Sequence, residues 1–243
     1  MNALTLALTA GGTATAICLA GILWLPFALA GRPRGPGLLW TAAPVAGVLF
    51  LAGVFWLQVP IQAVLGQAIV QGVSPLTLGA WPILVAGPVA LVAGLVQEAA
   101  RLLGILAALR IARRDRALGL WTGALAGAGI GLFEAAWLLS AVPPAHFALL
   151  SEPVLERVLA VAFHIGAGAL LGAGIAARRT GRAFALAVLL HTAVDSGAAL
   201  YQLGRASLSV ALWVTAVLGM GLFLWMLALA RRRAREVPAA MNA

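Results

Sequence analysis

Charged side chains are scarce in this chain, and lysine is absent. Only 9% of the 243 residues are charged, seven of them are acidic, and all 16 basic residues are arginine. The chain is 63% hydrophobic and its mean hydropathy is +1.04, which is more apolar surface than a soluble domain of this size can bury. The composition therefore excludes a soluble protein and indicates a polytopic membrane protein.

Cysteine occurs once, and segments of alternating polarity are missing. Because Cys18 is the single cysteine, intrachain disulfides and cysteine-based metal sites are excluded. A transmembrane barrel would need segments of about ten residues that alternate apolar and polar side chains, which are absent here. The predicted fold class is therefore all-α, a polytopic transmembrane helical bundle. The bias towards alanine, glycine, arginine and leucine without lysine favours a bacterial origin, and hence the bacterial cytoplasmic membrane.

Seven apolar segments of roughly 20 residues or more are long enough to cross a bilayer. The third is over-long, so we expect it to tilt or to extend beyond the hydrocarbon. The apolar segment 59–76 contains Pro60 and Pro75, and we expect it to be too short and broken to span, hence re-entrant or interfacial. The approximate limits of the seven spans are 3–30, 38–58, 77–109, 117–140, 155–177, 183–203 and 207–230.

The arginines alternate between the loops that join these spans. Thirteen of them follow spans one, three, five and seven, whereas the alternate loops hold only Arg157 and Arg205. By the positive-inside rule, this pattern places the N-terminus outside and the C-terminus inside. Because the charges lie in short loops, they set orientation in the lipid bilayer, and we expect no nucleic-acid partner.

The distribution of polar residues divides the chain into three parts. Residues 77–203 hold the intramembrane ionisable groups and are predicted to form a four-helix core. Residues 1–76 are predicted to form peripheral transmembrane helices together with the re-entrant or interfacial segment. Residues 204–243 are predicted to form a C-terminal transmembrane helix and a basic cytoplasmic tail.

Six ionisable side chains lie inside apolar spans. An ionisable group in hydrocarbon is costly unless it faces a protein interior, so each one marks a candidate functional site. At 1.5 Å per residue, five of them lie roughly 14–21 Å from the cytoplasmic arginines, and the sixth, a glutamate, lies near 27 Å. Helices of opposite direction thus deliver polar groups to similar depths, which predicts one buried cluster. The six are Glu98 and Arg101 in span three, Glu134 in span four, His164 in span five, and His191 and Asp195 in span six.

A glutamate and two histidines at one depth are the groups needed to activate a water molecule. The glutamate can take the water's proton, while a histidine stabilises the oxyanion that forms on a carbonyl. The same residue types could instead hold Zn²⁺ as a His₂-carboxylate site, and the residues alone do not separate the two. A structural ion pair between Glu98 and Arg101, or the proton relay of a proton-coupled transporter, would use them as well. The polar motifs show no internal repeat of the kind that transporters usually carry.

The ordered motifs resemble those of the YhfC family. They are Gln97-Glu98-x-x-Arg101, Gly127-x-Gly129-x-Gly131-x-x-Glu134, Glu156-Arg157-x-x-Ala160-x-x-x-His164 and His191-x-x-x-Asp195. That family is grouped with the glutamic-type intramembrane proteases of the CPBP superfamily, which includes the CAAX prenyl endopeptidases, and PrsW proteases are similar. The resemblance covers about residues 80–203.

The resemblance implies a helical bundle that hydrolyses peptide bonds of membrane-embedded or membrane-associated polypeptides. It implies catalytic roles for Glu98, His164 and His191, and a metal-free, glutamate-activated water rather than a zinc cofactor. The supporting residues that go with this interpretation are Gln97, Arg101, Glu134 and Asp195.

The chain departs from the family pattern at Gln97. The first motif of the family usually opens with two glutamates, and here the first position is an amide. A catalytically inactive relative that binds a membrane partner is therefore the second hypothesis, and it predicts that restoring a glutamate at position 97 restores cleavage.

Overall fold

The computed structural model describes residues 41–111, 118–140 and 152–241, and the regular structure in these ranges is helical throughout. This confirms the all-α fold that the composition predicts. In chain order, the elements are α1 (Ala42–Gly53), a π-helical stretch (Val54–Gln58), α2 (Val59–Gly72), α3 (Pro75–Ala80), α4 (Ile83–Ile111), α5 (Gly119–Ser140), α6 (Glu152–Ala176), α7 (Thr180–Gln202) and α8 (Leu208–Met241).

Within the described residues, six helical stretches are long and apolar enough to cross a membrane, and they correspond to the second to seventh predicted spans. The first predicted span, 3–30, lies outside the described residues, as does Cys18. The orientation of the bundle in the membrane stays a prediction. The six stretches are Ala42–Gly72, Ile83–Ile111, Gly119–Leu139, Val154–Ala176, Thr180–Gln202 and Leu208–Arg232.

The segment 59–76 has no break at Pro60, contrary to the expectation, although the helix is interrupted before Pro75; its placement as a re-entrant or interfacial segment stays a prediction. Its first part is α2, which continues α1 through the π-helical stretch, so that one helical stretch runs from Ala42 to Gly72. Pro60 does not end this helix, because it lies in the first turn of α2, directly after a stretch whose hydrogen-bond ladder is already shifted. The sequence pattern alone therefore predicted a break at Pro60 that the structure does not contain.

The over-long third span, 77–109, is divided in the structure. The short helix α3 is capped by Ser74, whose hydroxyl accepts a hydrogen bond from the Thr77 N–H at 3.1 Å. A turn at Trp81 and Pro82 follows, and α4 begins at Ile83. The first residues of the predicted span therefore belong to a separate helix. Helix α4 still has 29 residues, so the expected tilt or extension beyond the hydrocarbon stays a prediction.

Helices α4, α5, α6 and α7 form a ring in which each helix packs against the next. Glycine permits the closest approaches. A Cβ added at Gly127 of α5 would collide with the backbone carbonyl of His164 on α6, and one at Gly94 of α4 would lie 3.0 Å from Oγ1 of Thr192 on α7. These contacts draw the polar faces of the four helices together.

Two further helices cover this ring. Helix α1 packs on α4 and α5 and contributes the fully buried Ala46 and Phe50, while α8 packs on α6 and α7 and contributes Phe223 and Met226. Both helices lie outside the four-helix core 77–203 that the ionisable groups predicted. They nevertheless supply core side chains, since apolar packing needs no charge. The division into a core 77–203 with flanking parts 1–76 and 204–243 stays a proposal.

Candidate active site

Glu98 and Arg101 lie one turn apart on the inner face of α4. Both side chains are fully buried, and the Arg101 guanidinium donates from Nη1 to Oε1 of Glu98. His191 of α7 approaches the same carboxylate oxygen, with Nδ1 at 2.7 Å from Oε1. Oε1 therefore receives both donors, whereas Oε2 has no hydrogen-bond partner in the described part of the chain.

His164 of α6 connects this ion pair to α5. Its Nδ1 contacts Nη2 of Arg101, and its Nε2 lies 3.0 Å from Oε2 of Glu134. A guanidinium only donates, so Nδ1 must accept, and in the neutral ring the proton is then on Nε2 and is donated to Glu134. Arg101 thereby selects the tautomer of His164.

The two imidazole rings also contact one another. The ring centroids of His164 and His191 are 5.3 Å apart, and the rings are nearly perpendicular. Phe163 presents its ring to both, at 5.7 Å from His164 and 5.3 Å from His191. The phenyl ring therefore shields one side of the histidine pair, and both histidines are 2% exposed.

Arg157 was assigned from the sequence to an outer loop, but the structure places it beside the site. It lies in α6, with Nη1 at 3.3 Å from Oε2 of Glu134, and it also pairs with Glu156. Glu134 has no arginine on its own helix, and it obtains two partners from α6. The signal in the sequence was the spacing of seven residues between Arg157 and His164, which puts both on one helix face.

Asp195 lies at the rim of the site. Its Oδ2 is 3.6 Å from Nε2 of His191, wider than a hydrogen bond, and its side chain is 30% exposed. The predicted pairing of His191 and Asp195 on one face of a helix is present as a close approach. The ionisable set thus becomes more exposed from Glu98 towards Asp195.

Gln97 points away from Glu98, towards the π-helical stretch. Its Nε2 lies 3.3 Å from Oε1 of Gln58, a residue that the sequence analysis did not select. Gln97 is only 4% exposed, and its Oε1 has no hydrogen-bond partner in the part of the chain that the structure describes. Of the seven predicted site residues, the structure brings six together and places Gln97 on a separate contact.

The arrangement fits a metal ion poorly. Within the ranges that the structure describes, no group of three or more His, Cys, Asp or Glu side chains is placed to hold one. His164 shows the physical reason: with Nδ1 facing a guanidinium and a proton on Nε2, neither ring nitrogen has a lone pair to give to a metal. A His₂-carboxylate zinc site would require Arg101 to move away.

Comparison with known proteins supports the motif resemblance over the second half of the chain. Residues 134–218 match the model of a family described as YhfC intramembrane metalloprotease. The match covers about a third of the chain; it begins at Glu134, includes His164, His191 and Asp195, and leaves out Glu98. No curated protein and no solved structure gives a significant match. The match supports a multi-pass membrane protease and makes a metal a competing hypothesis.

Proposed function

We propose that the chain is an intramembrane endopeptidase of the glutamic type, in which Glu98 activates the attacking water. One observation carries this proposal. In the buried ion pair, the acceptor Oε2 of Glu98 and the donor Nε of Arg101 both lack hydrogen-bond partners among the described residues. Buried polar atoms are nearly always paired, so an acceptor and a donor left open in one ion pair support a site for polar reactants.

The two atoms without partners among the described residues, Oε2 of Glu98 and Nε of Arg101, are suited to the hydrolysis of a peptide bond. Oε2 of Glu98 takes a proton from water as the water oxygen bonds to the carbonyl carbon. Negative charge develops on the carbonyl oxygen, where the Nε–H of Arg101 is a donor of the required sign. When the C–N bond breaks, Glu98 returns the proton to the leaving nitrogen, so that one water yields a carboxyl and an amino group.

The histidines assist from fixed positions. His191 donates from Nδ1 to Oε1 of Glu98, which holds the carboxylate with Oε2 directed away from its partners. His164 connects Arg101 to Glu134 and so keeps the guanidinium in place. Asp195 is close to the far nitrogen of His191 and can exchange a proton with it through the half-exposed rim.

The substrate is proposed to be a membrane-embedded or membrane-associated polypeptide. The groups that carry the chemistry lie in helices long and apolar enough to span a membrane, so the scissile bond has to reach that depth. The bacterial cytoplasmic membrane is the proposed location, and membership in the CPBP superfamily with its PrsW-like relatives is part of the same proposal.

The test compares Glu98→Gln and His191→Ala with the wild type in liposomes containing a polypeptide substrate. Loss of a catalytic base or of the group that orients it costs about 100-fold or more in rate, so both variants should stop cleaving at a temperature at which thermal unfolding in detergent shows each of them to be folded. His146→Ala, outside the described residues and assigned no role, is the control and should cleave normally. Should Glu98→Gln keep full activity, Glu98 is not the base and Glu134 becomes the candidate.

A metal-dependent mechanism is the competing candidate, because the matched family is described as a metalloprotease. It predicts stoichiometric zinc in the purified protein and an activity that chelation removes and zinc restores. Our proposal predicts a rate that chelators leave unchanged. Reversible chelator inhibition together with bound zinc would replace the glutamic mechanism.

The amide at position 97 favours another candidate function, in which the protein binds a membrane polypeptide without cleaving it. If the wild type binds a membrane partner without cutting it, and Gln97→Glu cleaves that partner, the chain is an inactive relative. Since Gln97 faces Gln58 rather than Glu98, we expect no such gain.

A further inference from the structure

The helical stretch Ala42–Gly72 is anchored over its first half only. In α1, Ala46 lies against Gly104 of α4, where an added Cβ would be 2.7 Å from the Ala46 Cβ, and Gly47 lies against the ring of Phe133 on α5. At both points the neighbouring helix lies so close to the glycine that there is no room for a side chain. In α2, by contrast, no residue is buried against the described part of the chain.

Two glutamines, Gln62 in α2 and Gln58 at the end of the π-helical stretch, form hydrogen bonds to α4. Nε2 of Gln62 donates to the backbone oxygen of Val89 at 2.8 Å, and Oε1 of Gln58 accepts from Gln97 at 3.3 Å. Hydrogen bonds of this kind between membrane helices are worth about 1 kcal/mol each, far less than a packed apolar face. Among the described residues, the second half of the stretch is therefore held to α4 less firmly than the first half is held to α4 and α5.

The π-helical stretch lies between these two halves. It runs from Val54 to Gln58, follows Gly53 and precedes Pro60. A π-helical stretch interrupts the regular hydrogen-bond ladder, and proline removes one donor from it, so bending is cheapest here. A packed half is followed by an irregular stretch and then by an unpacked half, which is the arrangement expected of a hinge.

The hinge lies at the level of the catalytic candidate. Helix α1 packs on both α4 and α5, and at the hinge the ring of Phe55 contacts Trp137 of α5, with centroids 5.3 Å apart. On α4, Gln97 directly precedes Glu98 in the chain. Movement of α2 would therefore uncover the side of α4 between Val89 and Gln97, next to Glu98.

We propose that α2 is a lateral gate through which an unwound segment of a membrane polypeptide enters alongside α4. We further propose that Gln58 and Gln97 bind the backbone of that segment once they part from each other. An unwound peptide in hydrocarbon needs partners for its N–H and C=O groups, and a glutamine amide supplies both a donor and an acceptor. Oε1 of Gln97, in a side chain 4% exposed, already lacks a partner among the described residues.

The proposal rests on the proposed function for the identity of the entering chain, and a reversible cross-link tests it. In a Cys18→Ser background, Gln62→Cys and Val89→Cys are joined by a reducible bifunctional thiol reagent, which ties α2 to α4. The probe is a single-span polypeptide with a central Gly-Pro break in the same liposomes. Cleavage should fall about tenfold or more and return on reduction, as expected when a closing segment limits entry.

Two controls separate gating from damage. The single-cysteine variants treated with the same reagent should cleave at their untreated rates. The pair Leu49→Cys and Phe184→Cys joins the anchored half to α7 across a cavity of about 600 Å³ that both residues line. That cross-link should leave cleavage unchanged, because α1 is not expected to move. Full activity of the Gln62–Val89 cross-linked protein would overturn the gate.

A distance measurement tests the proposed movement of α2 even if the protein cleaves no substrate. Spin labels are placed at Gln67 of α2 and Leu138 of α5, both exposed, in the Glu98→Gln protein. Adding the same probe polypeptide should produce a second distance about 5 Å longer, the width of one extended chain. The matched pair Val48 and Leu138, with Val48 on anchored α1, should keep one distance. An unchanged Gln67–Leu138 distance overturns the gate, whereas a longer distance without cleavage in the wild type supports the gate and refutes the peptidase.

Discussion

At the scale of single residues, the site depends on one arginine that serves three partners. The guanidinium of Arg101 neutralises Glu98, selects the tautomer of His164, and keeps its Nε–H open. Arginine suits this position because its donors are fixed in a planar fork and it keeps its charge when buried. A lysine would supply the charge without reaching both neighbours at once.

Replacing Arg101 by leucine should destabilise the protein strongly, because the Glu98 carboxylate would remain buried without its cation. Removing one partner of a buried ion pair costs about 3–5 kcal/mol. Thermal unfolding in detergent should therefore show a large fall in the midpoint for Arg101→Leu. The double variant Glu98→Leu/Arg101→Leu should regain much of this loss, since no unpaired charge is left.

The matched control is Arg205→Leu, at an exposed arginine, which should stay within about 0.5 kcal/mol of the wild type. Equal midpoints for Arg101→Leu and Arg205→Leu would show that the buried ion pair does not contribute in the manner described.

The tautomer of His164 is a second prediction at this scale. Because Nδ1 faces a guanidinium, the ¹⁵N spectrum of histidine-labelled protein should show His164 with a protonated Nε2 and an unprotonated Nδ1. His164→Ala identifies the signal. A protonated Nδ1 in His164 would contradict the contact with Arg101 and reopen the ring to a metal.

At the scale of helices, glycine sets the distances on which the site depends. Gly127 of α5 lies against the carbonyl of His164, and a Cβ added at Gly131 would lie 3.0 Å from the Cα of Val161, so the backbones of α5 and α6 lie close together. This contact brings Glu134 within reach of His164. The motif of glycines at every fourth position is common in membrane helices, but here it has a specific consequence for the site.

Gly127→Ala should therefore lower both stability and activity. The added methyl group has no room, and overpacking of this kind costs typically about 1–3 kcal/mol. The backbone of His164 would have to shift, which loosens its contact with Glu134. Measurement of the thermal midpoint and of the cleavage rate on the same preparation checks both effects.

Gly221→Ala in α8 is the control, because a Cβ there would meet no atom within 4 Å. It should be neutral or stabilising by up to about 1 kcal/mol, the difference in helix propensity between alanine and glycine. If Gly221→Ala lowers the thermal midpoint as much as Gly127→Ala does, the packing explanation is wrong.

At the scale of the whole molecule, the orientation in the membrane is a prediction from the arginines. In a Cys18-free background, a membrane-impermeant thiol reagent should label a cysteine at position 146 in intact cells and should leave one at position 113 unlabelled. Both positions should react after permeabilisation. Labelling of 113 but not of 146 in intact cells would invert the predicted topology, because the arginine-rich loops would then be outside.

The sequence by itself determined the fold class, the approximate number of spans and most of the residues that lie together in the candidate site. Hydropathy is additive along a chain, so long apolar segments can be recognised without knowledge of their neighbours. Ionisable groups in hydrocarbon are so costly that Glu98, Glu134, His164 and His191 had to face one another or a cavity. Their depths follow from the constant rise of a helix, which is why their convergence was predictable.

Only the tertiary structure decided which atoms meet. The sequence could not show that Arg101 lies between Glu98 and His164, or that Gln97 turns away to Gln58, because the rotation of each helix depends on its neighbours. It also missed Arg157 as a partner of Glu134, and it broke the helix at Pro60, where a π-helical stretch accommodates the proline. Hydrophobicity and helix geometry are local properties, so they can be predicted from the sequence. Which side chains contact one another depends on the packing between distant segments.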